Sequence, residues 1–429
     1  MCKQIIDLDF LLGFLNCLVS IQNSRKNLRK PVIGSFHCHL SVMDGERFSL
    51  ELCDDISRIA ADDWDSIAET KNPFVCHAFL AALEAGKAVG GNTGWEPQHL
   101  LMRDDYGRLI AAIPHYLKHH SYGEYIFDHS WADAFTRAGG QYYPKMLAAI
   151  PFTPATGPRM LTGTATGMQR KQLIQELASG MARYASELQL SSAHINFLPE
   201  QDAKLLANDG WLHRTGIQFH WQNHSFANFD AFLASLSSRK RKNIRKERAS
   251  IAALGIKLLP LTGDAITKAH IDDFYRFYTS TIDRKWGGAY LTHEVFIQLH
   301  RTMADKMLLI MAEDKGKIIG GAMNFIGEDA LYGRNWGADI DIPNLHFEAC
   351  YYQAIEFAIK KGLQRVEAGA QGFHKVQRGY LPVTTHSVHY IAQEGFRDAV
   401  SRFLDAEKQG IEAEKNQISL TSPFKSSRS

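Results

Sequence analysis

The sequence carries one segment twice. Leu101-Met102-Arg103-Asp104-Asp105-Tyr106-Gly107-Arg108-Leu109-Ile110-Ala111-Ala112 parallels Ile310-Met311-Ala312-Glu313-Asp314-Lys315-Gly316-Lys317-Ile318-Ile319-Gly320-Gly321. Each copy reads as a β-hairpin, two apolar runs around an acidic turn that ends in Gly, and both residue types tolerate positive φ. About 205–210 positions also separate Trp131-Ala132-Asp133 from Trp336-Gly337-Ala338-Asp339. In each half the hairpin is followed by a strand, a helix and a strand. Two copies of one mixed α/β unit are expected. The length agrees, because 429 residues exceed one ordinary core and suit two domains of ~200 residues each.

Charge names no partner. The net charge is +2 with 19 His neutral, so electrostatic recognition must be local. Cys2, Cys17, Cys38, Cys53, Cys76 and Cys350 form no C-x-x-C pair and no dense framework, which suits a reducing compartment. No apolar run approaches the ~20 residues of a membrane helix. Phe10 to Ile21 is a short apolar run with Asp7 and Asp9 before it and basic residues after it, unlike a secretory signal. Residues 1–42 therefore read as a dispensable or mis-assigned leader, with a weak peripheral anchor as the alternative. A cytoplasmic protein is expected, with an N-terminal domain over 43–224, a C-terminal domain over 225–409, and a disordered tail over 410–429.

The coarse pattern fills both domains. Helices are expected over 57–68, 73–83, 168–188 and 200–208, and strands over 98–103, 108–118, 142–150, 192–197 and 211–221. Tyr125 to Phe135 reads as a strand running into a helix. The second domain has helices over 226–236, 271–281, 292–303, 345–361 and 397–408, and strands over 307–312, 317–325, 330–336, 364–368 and 386–391. Gly362 after two lysines closes the 345–361 helix. Pro151 to Gly167 is a Pro/Gly/Thr loop, and Gly369 to Pro382 a second loop that holds Gln371, His374, Lys375 and Arg378 between glycines.

This element order is that of the GNAT acyltransferase fold, and two tandem copies resemble the Fem-type transferases. Four segments resemble one branch, the FemAB-like N-acyltransferases of peptidoglycan biosynthesis and recognition: Phe127-Asp128-His129-Ser130-Trp131-Ala132-Asp133-Ala134; Tyr143-Pro144-Lys145 with Pro151 to Arg159; His346 to Gln353; and Gly369-Ala370-Gln371-Gly372-Phe373-His374-Lys375. The resemblance covers residues 48–408. It implies a mixed α/β (α+β) fold of two tandem GNAT-like domains. One position departs: the resemblance leads one to expect Glu between Gly372 and His374, where this chain has Phe373.

Acyl transfer needs a held carrier, an amine that loses a proton, and a donor to the oxyanion. No Ser-His-Asp or Cys-His signature is present, so direct attack by a bound amine is expected. The loop before the 168–188 helix lies where GNAT enzymes bind pyrophosphate, which offers Arg159 as a cation; a loop that only turns weighs about equally. Asp128, Trp131 and Tyr143 suggest a pocket wall, although Trp131 alone reads better as core and Asp128 as a cap.

Seven of the ten residues Arg239 to Arg248 are cationic, Arg241 and Arg245 among them. Such a run is usually a solvated face; the Fem resemblance adds a phosphate-bearing substrate or tRNA. Arg284 and Trp286, before paired glycines, suggest a mobile loop over a polyanion, against a plain helix connection. Arg334, Trp336, Glu348, Gln371, His374, Lys375 and Arg378 converge at adjacent strand ends, and Tyr352, a further substrate-binding candidate, shares a helix row with Glu348 at i, i+4. No metal site is expected, because no further His or carboxylate has ligand spacing.

The expected function is transfer of an acyl or aminoacyl group to an amine of a small molecule or peptide, including that of a peptidoglycan precursor. The carrier is acyl-CoA or aminoacyl-tRNA, with no tightly bound cofactor and no DNA partner. Glu348 or His374 would take the amine proton, and Arg334, Lys375 and Arg378 would hold anionic groups. The competing reading is a non-catalytic protein that recognises a peptidoglycan-like peptide.

Overall fold

The computed structural model describes residues 38–41, 47–69, 71–283, 288–370 and 372–425. The first half runs through strands β1 (Cys38–Ser41) and β2 (Arg47–Cys53), helices α1 (Ala61–Ala68) and α2 (His77–Ala85), and strands β3 (Trp95–Pro97), β4 (His99–Asp104), β5 (Leu109–Ile113) and β6 (His115–Lys118). Helix α3 (His129–Arg137), β7 (Lys145–Ala148), α4 (Gly167–Glu187), β8 (Ser192–Asn196), α5 (Glu200–Asn208) and β9 (Leu212–Gln222) follow.

The second half has α6 (Phe229–Ser235), α7 (Ser238–Ala253), β10 (Lys257–Thr262), α8 (Lys268–Asp283), α9 (His293–Met303), β11 (Met307–Asp314), β12 (Lys317–Ile326) and β13 (Ala330–Ala338). Helix α10 is built of Leu345–Phe347, a π-turn Glu348–Tyr352 and Gln353–Lys361. It ends at Gly362, whose φ of 71° is open to glycine. Strand β14 (Arg365–Glu367), a 3-10 turn (Phe373–Arg378), β15 (Leu381–Ile391) and α11 (Glu394–Ser419) complete the chain.

The fold is mixed α/β and contains the expected duplication. The duplicated hairpins are β4–β5 and β11–β12, each antiparallel with one register shift near the turn. Each half then makes one parallel pair through a helix, β7 with β8 and β13 with β14. The halves are joined through strand exchange. In the large sheet the order is β10-β11-β12-β13-β14-β9-β15-β8-β7-β6-β3. Strand β9 of the first half therefore completes the parallel pair of the second, and β15 of the second completes that of the first. Their mutual register runs from Leu381 opposite His220 to His389 opposite Leu212. One core cluster likewise takes Trp64 and Phe79 from the first half and Phe274 and Phe296 from the second.

Several expected elements change. The second hairpin strand breaks at Pro114, which has no N–H to give a ladder. Strand β5 stays in a four-stranded sheet and β6 enters the large one. Tyr125 to Asp128 is not a strand, since Tyr125 has a positive φ of 60°. Strand β10 was not expected, because Pro260 interrupts its apolar run; at the sheet edge its missing N–H costs no ladder bond.

The tail over 410–429 is not disordered as far as it is described. Helix α11 continues to Ser419, where Ile418 is buried, and Phe424 bridges to Leu236. The leader over 1–42 lies outside the described residues except for β1, which pairs with β2 ahead of Met43. Among the described residues, no helix is long and apolar enough to cross a membrane.

Candidate functional site

Charged and polar side chains are buried where the exchanged strand β15 meets the first half. Lys145 opens β7 and is fully buried. Its ammonium donates to Ser121 Oγ and Glu124 Oε2, each at 2.9 Å, and to Asp128 Oδ2. Tyr142 donates to the same Asp128 oxygen at 2.6 Å. Behind them His194 on β8 meets His389 on β15, Nδ1 to Nδ1 at 2.7 Å, and Ser192 and Ser387 hold the outer nitrogens. Trp131 of α3 stands edge-on over His389, with ring centroids 5.0 Å apart. Among the described residues, Glu124 Oε1 and Asp128 Oδ1 have no hydrogen-bond partner.

These environments divide the carboxylates. Burial pushes Glu124 up to about 7 despite Lys145. Burial would also raise Asp128, but the charge and hydrogen bond of Lys145 hold it well below the usual carboxylate range. Lys145 is kept charged against burial by Asp128 and Glu124. Lys118, next to this group with its ammonium 3.8 Å from the Trp95 ring centroid, is lowered by burial to about 7. The site thus holds one fixed ion pair beside two groups poised near neutrality.

Aromatic rings rim the cluster. Tyr122, Tyr125 and Phe127 are exposed on the loop that carries Glu124 and Asp128. Phe152 lies under Gly123, where a Cβ would come within 2.6 Å of its ring, and stacks on Tyr290 at 5.0 Å. On the far side of Phe152 a small recess is lined by Leu83, Thr153, Phe296, Phe325 and Arg334. Arg334 of β13 donates to Phe152 O, and to Thr153 Oγ1 at 3.2 Å.

The predicted residues separate into two places. Asp128 and Tyr143 come together at Lys145, with Trp131 behind them against His194 and His389, and Tyr143 OH bonds Ser121 Oγ at 2.8 Å. Arg334 joins their rim from the other half. Arg159 does not face a ligand: it is buried and gives its guanidinium to the carbonyls of Ala155, Gly157 and Pro158.

The second place is the C-terminal loop. His374 is exposed on one side and bonds Tyr351 OH at 2.9 Å, and partial burial of its ring, with the charges of Arg378 and Lys375, lowers its pKa. Lys375 is buried on the carbonyls of Ala368 and Gly369 and lowered by burial to about 8. Arg378 pairs with Glu247 at 2.8 Å, and Tyr352 OH donates to that same carboxylate. Glu348 pairs with Arg248 at 3.0 Å and also accepts from Gln353. Its carboxylate is thus fully engaged by neighbours within its own half. Trp336 is half-buried beside His346, with ring centroids 5.7 Å apart. Arg241 and Arg245 lie on α7, and Arg245 faces Asp230 at 3.3 Å. Arg284, Trp286 and Gln371 lie outside the described residues.

Lys145, Glu124, His194 and His389 were not singled out from sequence. Lys145 had a signal, a lysine opening the apolar run Met146 to Ile150 beside Tyr-Pro. His194 and His389 each alternate with apolar residues on a strand, a weaker sign. Glu124 had none, since only the loop path brings it to Lys145. Among the described residues, no group of three or more His, Cys, Asp or Glu is placed to hold a metal.

The sequence model of the FemAB-like family, described as peptidoglycan biosynthesis/recognition, matches residues 55–426. No curated protein matches the chain. Solved structures with a similar chain path include FemX, at 11% identity over 77% of this chain and 96% of that one, with a TM-score of 0.48. L-PGS from Bacillus licheniformis matches at 10% identity over 76% and 96%, with a TM-score of 0.46. A tandem GNAT protein from the clavulanic acid biosynthesis pathway matches at 10% identity over 84% and 99%, with a TM-score of 0.41. At these identities and scores they are likenesses of chain path alone.

Proposed function

The chain belongs to the FemAB-like family of peptidoglycan biosynthesis and recognition, and from that premise we propose an N-acyltransferase whose reaction takes place at the Lys145 cluster. The observation that carries this reading is Glu124, a buried carboxyl near neutrality with one oxygen unbonded, under an aromatic rim. A general base works best when its pKa lies near the working pH.

In the proposed reaction an amine of a small molecule or peptide, such as a peptidoglycan precursor, enters between Tyr122 and Phe152. Its nitrogen attacks the acyl carbon of acyl-CoA or aminoacyl-tRNA. The C–N bond forms, the amine proton passes to Glu124, and the carrier leaves with its sulfur or oxygen. Lys145 holds Glu124 and Asp128 in place. Arg334 faces the anionic carrier or the developing oxyanion. His374 is the alternative proton acceptor, and the two assignments separate by mutation.

The test is to supply radiolabelled acyl-CoAs and aminoacyl-tRNAs with a muropeptide bearing a free amine, and to look for a labelled amide. Product from the wild type and none from Glu124→Gln supports the reading. Saturable muropeptide binding with no product from any carrier would make the protein a recognition module instead.

A further inference from the structure

Helix α7 presents a face that the transfer site does not use. Its inward side is fixed: Ile244 and Ile251 are buried, Arg248 is paired with Glu348 and Glu356, and Glu247 with Arg378. On the outward side Arg239, Lys242 and Lys246 recur at spacings of three and four, which sets them in one row. All three are exposed, and among the described residues they make no ion pair or side-chain hydrogen bond. Acidic residues are not scarce in this protein, with 46 Asp and Glu against 48 Lys and Arg. An unpaired cationic row on one helix is therefore a local feature and not the result of overall charge.

Exposed apolar side chains lie near both ends of α7 and beside it. Leu254 caps α7 and is 58% exposed. Ile340 is 49% exposed, close to Asn344, whose side chain bonds Ser250 of α7 at 3.1 Å. Leu420 is 83% exposed, just before Pro423, whose carbonyl accepts from Ser237 N at the start of α7. A phosphate backbone has no use for aliphatic side chains. An anionic lipid surface uses both kinds of group: cations for the headgroups and protruding apolar side chains for the acyl boundary.

We infer that the outward face of α7, flanked by Leu254, Ile340 and Leu420, is a peripheral docking surface for anionic phospholipid bilayers. It would hold the chain at a membrane by its second half and leave the Lys145 cluster to the first. This surface is independent of the acyl-transfer reading.

The experiment is sedimentation of the full chain with unilamellar vesicles. One set is phosphatidylcholine alone and the other contains about one third phosphatidylglycerol, at low salt. Each cation near an anionic surface is worth about fivefold in partitioning. The wild type should bind the anionic vesicles only, and less as salt rises. Arg239→Glu with Lys242→Glu and Lys246→Glu should lower partitioning by at least about 100-fold without moving the thermal midpoint. Leu254→Ser with Leu420→Ser should lower it as well, with the cations intact. Failure of the wild type to bind, equal binding to both vesicle types, or unchanged binding by the charge variant would overturn the inference. Retention of single-stranded RNA without retention of anionic vesicles would assign the face to nucleic acid and overturn it too.

Discussion

His194 and His389 meet Nδ1 to Nδ1 at 2.7 Å although they lie in different halves of the chain. One nitrogen must donate and the other accept, so the two imidazoles share a single proton between them. Burial lowers His194 to about 3, and burial together with its neighbour lowers His389 well below the normal value. The strand exchange thus places a neutral histidine pair directly behind the Asp128–Lys145 ion pair.

That arrangement predicts an acid-sensitive fold. Besides His194, burial lowers His115 and His213 to about 4 and His220 to about 3. For each, the unfolded chain binds more protons below pH ~6.5, so stability present above that value is lost as pH falls toward the folded pKa. Glu124 and Glu367 oppose this, since burial raises both to about 7 and their contribution is lost as pH rises through 7. The imidazoles outnumber the carboxyls. Calorimetry should show the thermal midpoint falling between pH 6.5 and pH 5, and a rise over that interval would contradict the neutral pairs.

Removing Lys145 should be severe. Lys145→Ala leaves Asp128 and Glu124 buried without their cation, a change that costs about 3–5 kcal/mol when one partner of a buried pair is lost. Denaturant unfolding measures it. Adding Asp128→Asn and Glu124→Gln to the same chain should recover part of the loss, because no buried charge then stands alone.

Glu348→Gln should weaken the fold and spare the chemistry. Its carboxylate is held by Arg248 and Gln353, so the loss is about 2 kcal/mol of a hydrogen-bonded charge pair. The transfer rate should stay within about threefold. A loss of 100-fold or more, the size expected for a general base, would return that role to the C-terminal loop.

Close packing at Gly337 gives a test of the fold alone. A Cβ there would lie 2.1 Å from the Phe277 carbonyl oxygen. Gly337→Ala should therefore destabilise by about 1–3 kcal/mol through overpacking, and a neutral result would mean that α8 does not press on β13.

Much of this architecture can be read from local pattern. The two hairpins, the helices with clear caps, and the family segments all depend on residues near each other in sequence. The exchange of β9 and β15 does not, because pairing His220 with Leu381 joins residues with no local signal between them. The site divides along the same line. Asp128 and Tyr143 lie in recognisable segments and do meet at Lys145, whereas Glu124 reaches it only through a loop whose path the sequence does not encode. The C-terminal loop misled for a related reason. Its many donors suggested a ligand, but Lys375 and Arg378 turn inward to carbonyls and Glu247. Phe373, at the position where Glu was expected, points to solvent and meets Phe219 edge-on at 6.4 Å.

The central claim is that Glu124 takes the amine proton. The direct measurement is the pH dependence of kcat/KM for amide formation in the wild type, Glu124→Gln and His374→Ala. The wild type and His374→Ala should share a limb with an apparent pKa near 7, the value to which burial raises Glu124. Glu124→Gln should be slower by about 100-fold or more and lack that limb. A profile in which Glu124→Gln keeps both rate and limb, and His374→Ala loses them, would contradict the claim.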